Sequence, residues 1–308
     1  MKKEVVLQIE NLHKSYGQKK VIDGLNLSVE RGDIFGFLGP NGSGKTTTIR
    51  MILGLISLDQ GSIILNGYDV QKDFKKAIGK VGAVVETPKF FQGYSGYKNL
   101  QLMAGLYSHL PPGRVEEVLE MVGLKNRGRD KVSSYSLGMK QRLGIAMALL
   151  NQPEVVILDE PTNGLDPQGM KEIREMIVQL SLEQDITFFI SSHLLHEVEQ
   201  ICNKLGILKE GRKLAQGSVK ELLQKDYEAV EIVTTSREKA VKVLQSTGFA
   251  RDFSSTERGI RLKVDKGYSE KLIQKLVSSD VPVQYVIPEN QSLENYFINL
   301  TEGGSQIA

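Results

Sequence analysis

Gly39, Gly44, Lys45 and Thr46 fall in the spacing G-x-x-x-x-G-K-[ST], inside the run GPNGSGKTT from Gly39 to Thr47. The flanks give the match its meaning: an apolar run, Ile34 to Leu38, precedes it and TTTIRMILGLI follows. That order reads as a buried strand, a glycine-rich turn and the first turn of a helix, the setting in which this spacing cradles phosphates. The glycines let the loop of Gly39, Pro40, Asn41, Gly42, Ser43 and Gly44 turn backbone N–H groups inward on an anion. A helix starting near Lys45 adds the positive end of its dipole. Lys45 would reach the β- and γ-phosphates of a nucleoside triphosphate, Thr46 would offer its hydroxyl to Mg²⁺, and Thr47 closes the cradle.

A second source of chemistry is Val155-Val156-Ile157-Leu158 followed by Asp159-Glu160-Pro161. Four consecutive apolar residues read as a strand buried on both faces, so the two carboxylates stand at its carboxyl end. In a chain with a phosphate loop, Asp159 would hold the Mg²⁺ shell, and Glu160 would orient and deprotonate an attacking water. His193 ends a further buried strand, Ile186 to Ile190, through Ser191 and Ser192. It stands at the edge where ligands of open α/β sheets bind, and a neutral imidazole there could hydrogen-bond a γ-phosphate and the water. His196 and Glu197 follow, without a clear third metal ligand. Ser136, in KVSSYSLGMKQRLGIAMALL, is a good N-cap for a long helix. Together with Leu137 and Gly138 it exposes N–H groups that would make a second anion site, far along the chain from the first.

The elements that must position these groups follow from hydrophobic periodicity. Val5 to Glu10 and Val21 to Val29 read as strands, with Tyr16 in a turn between them. Tyr16 could stack on a purine or cap the sheet edge, and the residue alone does not choose. Asn66-Gly67 turns a hairpin, and Val81 to Val85 is another apolar run leading into Glu86 and KFFQGYSGYKNL. Helical periodicity over Leu100 to Tyr107 and Arg114 to Val122 predicts a helical block. Phe90, Phe91, Tyr94 and Tyr97 could be its core or a docking surface. Asp166, in the loop Thr162 to Pro167, precedes a helix over Gln168 to Leu182. Glu210-Gly211 turns the hairpin that ends this region. Lys220 to Lys225 reads as a connector helix, and the remainder reads as a small α+β unit with an antiparallel sheet and two helices. A disordered tail is expected over 302–308.

With 308 residues, two domains are expected. The 39 basic and 37 acidic residues nearly cancel, so no global field draws the chain onto nucleic acid, and none is expected as a partner. The single cysteine, Cys202, excludes an internal disulfide and fits a reducing compartment. The N-terminus lacks a signal-peptide pattern, and no stretch reaches the about 18 apolar residues of a membrane span, so a soluble chain is expected.

Taken together and in order, the phosphate loop, the Asp159-Glu160 strand, YSLGMKQR, GLDP and SSH resemble the nucleotide-binding subunits of ABC transporters. The resemblance implies a RecA-like α/β P-loop core with an antiparallel β subdomain and a helical insert. It places the nucleotide-binding domain over 1–220, with the helical part at about 88–152, and a small α+β accessory domain over 221–308. Carried over by position, Tyr16 matches the adenine-stacking aromatic and Gly39 to Thr47 the Walker A loop that binds ATP. Lys45, Glu160 and His193 match the catalytic groups, and Thr46, Glu86 and Asp159 the Mg²⁺ ligands. Ser136 and Gly138 match the signature loop, and Asp166 the dimer-contacting acid.

The family's subunits close head to tail on two ATP molecules, so the second anion site would serve the partner chain's nucleotide. A homodimer in the ATP-bound state, a separate permease docking near 86–107, and a location at the cytoplasmic face of the membrane are implied. Two departures stand out: Leu137 and Met139 break the usual LSGGQ, and Glu86 replaces the usual glutamine. VVETPKFFQGYSGYKNL, YSLGMKQRLGIAMALL and SLENYFINLT are similar to exporters of the bacitracin and lantibiotic-immunity type, implying an antibiotic or bacteriocin as cargo. A soluble ABC-type ATPase acting on ribosomes or DNA is the alternative.

Overall fold

The computed structural model describes residues 4–223, 227–289 and 293–302. The expected end of the connector helix at Lys225 and the tail beyond 302 lie outside them. By contacts the chain divides into two units, Met1–Val219 and Lys220–Ala308.

In the first unit, two long strands, β1 (Val5–Tyr16) and β2 (Lys19–Glu30), pair antiparallel, and β3 (Ile34–Leu38) leads into the glycine loop and α1 (Lys45–Ile52). β4 (Gln60–Leu65) and β5 (Tyr68–Asp69) form the hairpin turned by Asn66-Gly67, followed by α2 (Phe74–Ile78) and β6 (Val81–Val84). The helical block is α3 (Gly96–Ala104), α4 (Arg114–Met121) and α5 (Leu137–Leu149). Then come β7 (Val155–Asp159), α6 (Pro167–Gln184), β8 (Thr187–Ser192), α7 (Leu195–Ile201), and the hairpin β9 (Lys204–Lys209) and β10 (Arg212–Ser218). One sheet has the order β2-β1-β4-β5, and the larger one β10-β9-β3-β8-β7-β6. The neighbours from β9 to β6 are parallel, and every residue of β3, β7 and β8 is buried. Phe35 stacks on Phe189 across β3 and β8, with centroids 5.6 Å apart.

The differences from the sequence reading have local causes. β1 runs on past Glu10 because register shifts between Ile9 and Leu12, with Asn11 at φ 45°, reset its alternation, and a bulge of this kind erases the period-two signal. Tyr16 is therefore the last residue of β1, paired with Lys19, and not a turn residue. α3 starts at Gly96, four residues before Leu100, because the Ser95 hydroxyl accepts from Lys98 N–H and caps it. At five and seven residues, α2 and α7 are too short to show a helical period.

α8 (Val219–Leu223) begins on the last residue of the first unit, and the second comprises the rest of it with β11 (Tyr227–Thr234), α9 (Arg237–Gln245), β12 (Ala250–Ser255), β13 (Gly259–Asp265), α10 (Ser269–Ser278), β14 (Val283–Glu289) and α11 (Leu293–Glu302). The order β12-β13-β11-β14, antiparallel throughout, is that of a split β-α-β arrangement. One sheet face, with Val230, Ile232, Ile260 and Leu262, packs with Leu244 of α9 and Leu276 of α10. No helix among the described residues is long and apolar enough to cross a membrane.

Arg114 fixes the far end of α5. It is 6% exposed, and its guanidinium donates to the carbonyls of Leu149 and Leu150 at the end of that helix while pairing with Glu117 at 2.9 Å. Arg114→Met keeps the bulk but leaves buried carbonyls unpaired. A loss of about 2–3 kcal/mol is expected in urea unfolding, and an unchanged midpoint would remove Arg114 from this role.

Candidate functional site

Parallel pairing sets the site. Asp159 is level with Ser191, and Ser191 and Ser192 are level with Phe37 and Leu38, so the glycine loop, the carboxylates and His193 all leave the sheet at one edge. A one-residue slip would turn these side chains to the opposite face.

The loop itself is shaped by space. A methyl group on Gly39 would lie 2.4 Å from the Leu208 carbonyl oxygen and 2.5 Å from Ser43 Oγ. Gly44 has φ +109°, and a methyl there would lie 2.5 Å from Ile22 Cδ1. Pro40, Asn41 and Gly42 are exposed, whereas Ser43, Gly44 and Lys45 are buried. Ser43 Oγ is buried without a hydrogen-bond partner, an uncommon and costly state that an oxygen-rich ligand in the cradle would relieve. The Lys45 ammonium donates to the carbonyls of Gly39 at 2.8 Å and Pro40 at 3.4 Å, and pairs with Glu160 Oε1 at 3.4 Å. Its three protons are thus shared among the chain's own oxygens, and an incoming phosphate would exchange with them. Thr46 and Thr47, at the start of α1, are half-buried.

Glu160 has φ +50°, a backbone region that costs a non-glycine residue of order 1–3 kcal/mol and that gathers at functional sites. The structure holds it from several sides. Its N–H donates to the Ser191 carbonyl at 3.2 Å and to Ser191 Oγ at 3.1 Å. His193 Nδ1 lies 2.8 Å from Glu160 Oε2, and His193 N–H donates to the same oxygen at 3.3 Å. A carboxylate only accepts, so Nδ1 carries the proton. With Nδ1 committed to Glu160, Nε2 is the ring atom left to face a ligand. Asp159 is 5% exposed and accepts a hydrogen bond from the Ser191 hydroxyl.

Other residues singled out in the sequence lie apart from this cluster or are held differently. Tyr16 is 52% exposed, with Lys14 Nζ 5.5 Å from its ring centroid. Lys14 and the Ser15 N–H hold the Asp59 carboxyl below the usual carboxylate range. Glu86 has φ +61°, and its exposed carboxylate is paired with Arg50 of α1. Ser136 caps α5 by accepting from Met139 N–H at 3.2 Å, and Asp166 caps α6 by accepting from Gly169 N–H at 3.0 Å. A methyl on Gly164 would lie 3.4 Å from Leu137 Cδ2, so the bulk that replaces a signature glycine rests against the loop before Asp166. Phe91 and Tyr94 are exposed, while the half-buried Tyr97 donates to Glu116 at 3.1 Å. Glu197 pairs with Arg174, and His196 lies against Gln200. Among the described residues no three His, Cys, Asp or Glu side chains gather to hold a metal by themselves. Burial pushes the Cys202 thiol well above its ordinary pKa, which makes it unreactive. Sequence reasoning missed Ser191 and Arg50, whose partners are brought together only by strand register and by the crossing of separate elements.

A model of the ABC transporter family matches residues 22–163. The chain is 41% identical over 301 residues to the bacitracin transport ATP-binding protein BcrA of Bacillus licheniformis, covering 97% of this chain and 98% of that one. It is 38% identical over 226 residues to the lantibiotic transport ATP-binding protein SrtF of Streptococcus pyogenes, covering 73% of this chain and 93% of that protein. Among solved structures, cbiO1 of Clostridium perfringens, part of the ABC transporter complex cbiONQ, superposes with a TM-score of 0.66 at 29% identity, covering 80% of this chain and 96% of that one.

Ser43→Ala removes the orphaned hydroxyl. The ligand-free protein should melt at the same temperature or higher, while affinity for a nucleoside triphosphate falls roughly fivefold, the worth of about one hydrogen bond. Unchanged affinity by titration calorimetry would mean that the hydroxyl does not face the ligand.

Proposed function

The chain belongs to the ATP-binding subunits of ABC transporters and is an ATPase with a RecA-like P-loop core; from that premise we propose how its residues divide the work. Membership also implies a membrane permease and pairing of cassettes. The observation that carries the reading is the convergence of Lys45, Asp159, Glu160 and His193 beside the Gly39–Thr47 loop.

ATP lies in the loop with its adenine on the exposed face of Tyr16. Lys45 leaves the Gly39 and Pro40 carbonyls for the β- and γ-phosphates. Thr46 and Asp159 fit a magnesium ion, which supplies charge neutralisation at the phosphates when bound, and Glu86 joins them once released from Arg50. Glu160 takes the proton of a water that attacks the γ-phosphorus as the bond to the β–γ bridging oxygen breaks, leaving ADP and phosphate. His193 holds Glu160 in place through Nδ1 and faces the ligand through Nε2.

Ser136 caps its own helix, leaving the N-terminal N–H groups of α5 to serve the nucleotide of a second copy, packed head to tail, with Asp166 at the contact. One cradle leaves much of the γ-phosphate charge open, and the partner's helix N-terminus covers it. Met139 lacks the amide of the usual signature and Leu137 adds bulk in place of a glycine, while Ser136 and Gly138 keep the usual residues.

The permease docks beside residues 86–107. A groove of about 540 Å³ lined by Leu53, Leu55, Phe74, Val85 and Tyr107 supports this, together with the exposed Phe91 and Leu106. The chain then lies at the cytoplasmic face of the membrane. The cargo is an antibiotic or bacteriocin peptide, a reading that rests on likeness to proteins named for bacitracin and lantibiotic transport. No feature of the site favours the alternative of action on ribosomes or DNA.

Glu160→Gln should lower turnover roughly 10²- to 10⁴-fold and yield an ATP-dependent dimer on gel filtration. Turnover at the parent rate refutes Glu160 as base, and a chain that stays monomeric with ATP refutes the shared site. Tyr16→Ala should weaken nucleotide binding by about 1–3 kcal/mol in a fluorescence titration; an unaltered curve returns Tyr16 to a sheet-edge role.

A further inference from the structure

We infer that Ser191 is the positioning residue of the hydrolytic centre: its buried hydroxyl ties the Asp159 carboxylate to the Glu160 backbone. This rests on the reading of Asp159 as a metal ligand and Glu160 as the base.

Ser191 is fully buried, at 0% exposure, inside β8. Its hydroxyl has one proton, and the two neighbours leave a single assignment. Glu160 N–H can only donate, and it points to Ser191 Oγ at 3.1 Å. The proton of Ser191 therefore goes to Asp159 Oδ1, which an ionised carboxylate can only accept. Donor and acceptor are both used, and neither neighbour competes for the same role.

Two consequences follow from the geometry. Asp159 keeps one carboxylate oxygen engaged by the protein, which fixes the rotation of the carboxylate plane and so the direction in which it meets a cation. Glu160, whose φ of +50° is unfavourable, is held through its N–H by two oxygens of one residue, the Ser191 carbonyl and hydroxyl. The same side chain thus sets the metal-facing acid and the adjacent base relative to each other. Ser192, the next residue, does something different: its hydroxyl accepts from Leu194 N–H at 3.0 Å and shapes the turn after His193. Removing an outer partner that orients a metal ligand typically costs 10- to 100-fold in metal affinity or activity. A hydroxyl that merely fills space would cost neither.

The test measures binding of Mn²⁺, a paramagnetic probe, to the ADP-loaded protein by electron paramagnetic resonance, beside steady-state kinetics. Ser191→Ala should weaken Mn²⁺ roughly 10-fold or more and lower kcat by about 10- to 100-fold, with ADP affinity in EDTA within about twofold of the parent. Ser191→Cys, close in size with a weak donor, should fall between, and serves if the alanine variant does not fold. Parent-like Mn²⁺ affinity and kcat in a folded variant would overturn the inference. Asp159→Asn separates the two layers: if it leaves Mn²⁺ binding intact, the reading of Asp159 fails. If it abolishes binding while Ser191→Ala does not, only the role of Ser191 fails.

Discussion

The site depends on parallel registry between β3, β8 and β7. Those strands are buried on both faces, so pairing order and apolar packing dominate in fixing them, and the ends they share gather the functional groups. Leu38 opens the glycine loop, Ser192 leads to His193 and Asp159 to Glu160, all within one pairing step of one another. Because the register is set by core residues such as Phe35 and Phe189, the chemistry is positioned by side chains that never meet the substrate.

The charges gathered there satisfy one another. Lys45 is shared among two carbonyls and Glu160, and Glu160 is in turn held by His193. A buried ammonium without such partners would be costly, so the cluster is a stable resting arrangement. In the proposed mechanism phosphate exchanges for the carbonyls, and the lysine's release from Glu160 frees the base. In the same proposal one chain leaves the far side of the γ-phosphate uncapped, and Ser136 stands at the start of a separate helix whose other end is fastened by Arg114. In the proposed assembly that helix N-terminus reaches a neighbour's nucleotide, which makes dimer closure depend on the phosphate being present.

The sequence made the fold class legible because the apolar runs Ile34 to Leu38 and Val155 to Leu158 are continuous, as strands buried on both faces must be, and because the glycine spacing sits between a strand and a helix. The positions of Gly39, Asp159 and His193 at one sheet edge followed from the same runs. What stayed hidden was set by geometry across the chain. The bulge at Asn11 broke the alternation of β1, which misplaced Tyr16 in a turn. Ser191 looks like one more small polar residue until register puts it beside Asp159. The pairing of Arg50 with Glu86 joins a helix to a loop 36 residues on, with no periodic signal to announce it. Which nitrogen of His193 is protonated needed the carboxylate beside it.

The central claim is that a nucleotide in one chain's cradle is completed by Ser136 of another chain. A crystal structure of the parent protein with magnesium and a non-hydrolysable ATP analogue tests it most directly. The account predicts a symmetric pair in which Lys45 has moved from the Gly39 carbonyl onto the phosphates, with Ser136 of the partner subunit within hydrogen-bond distance of the γ-phosphate. A saturated structure in which Ser136 faces solvent, remote from every bound nucleotide, would contradict it.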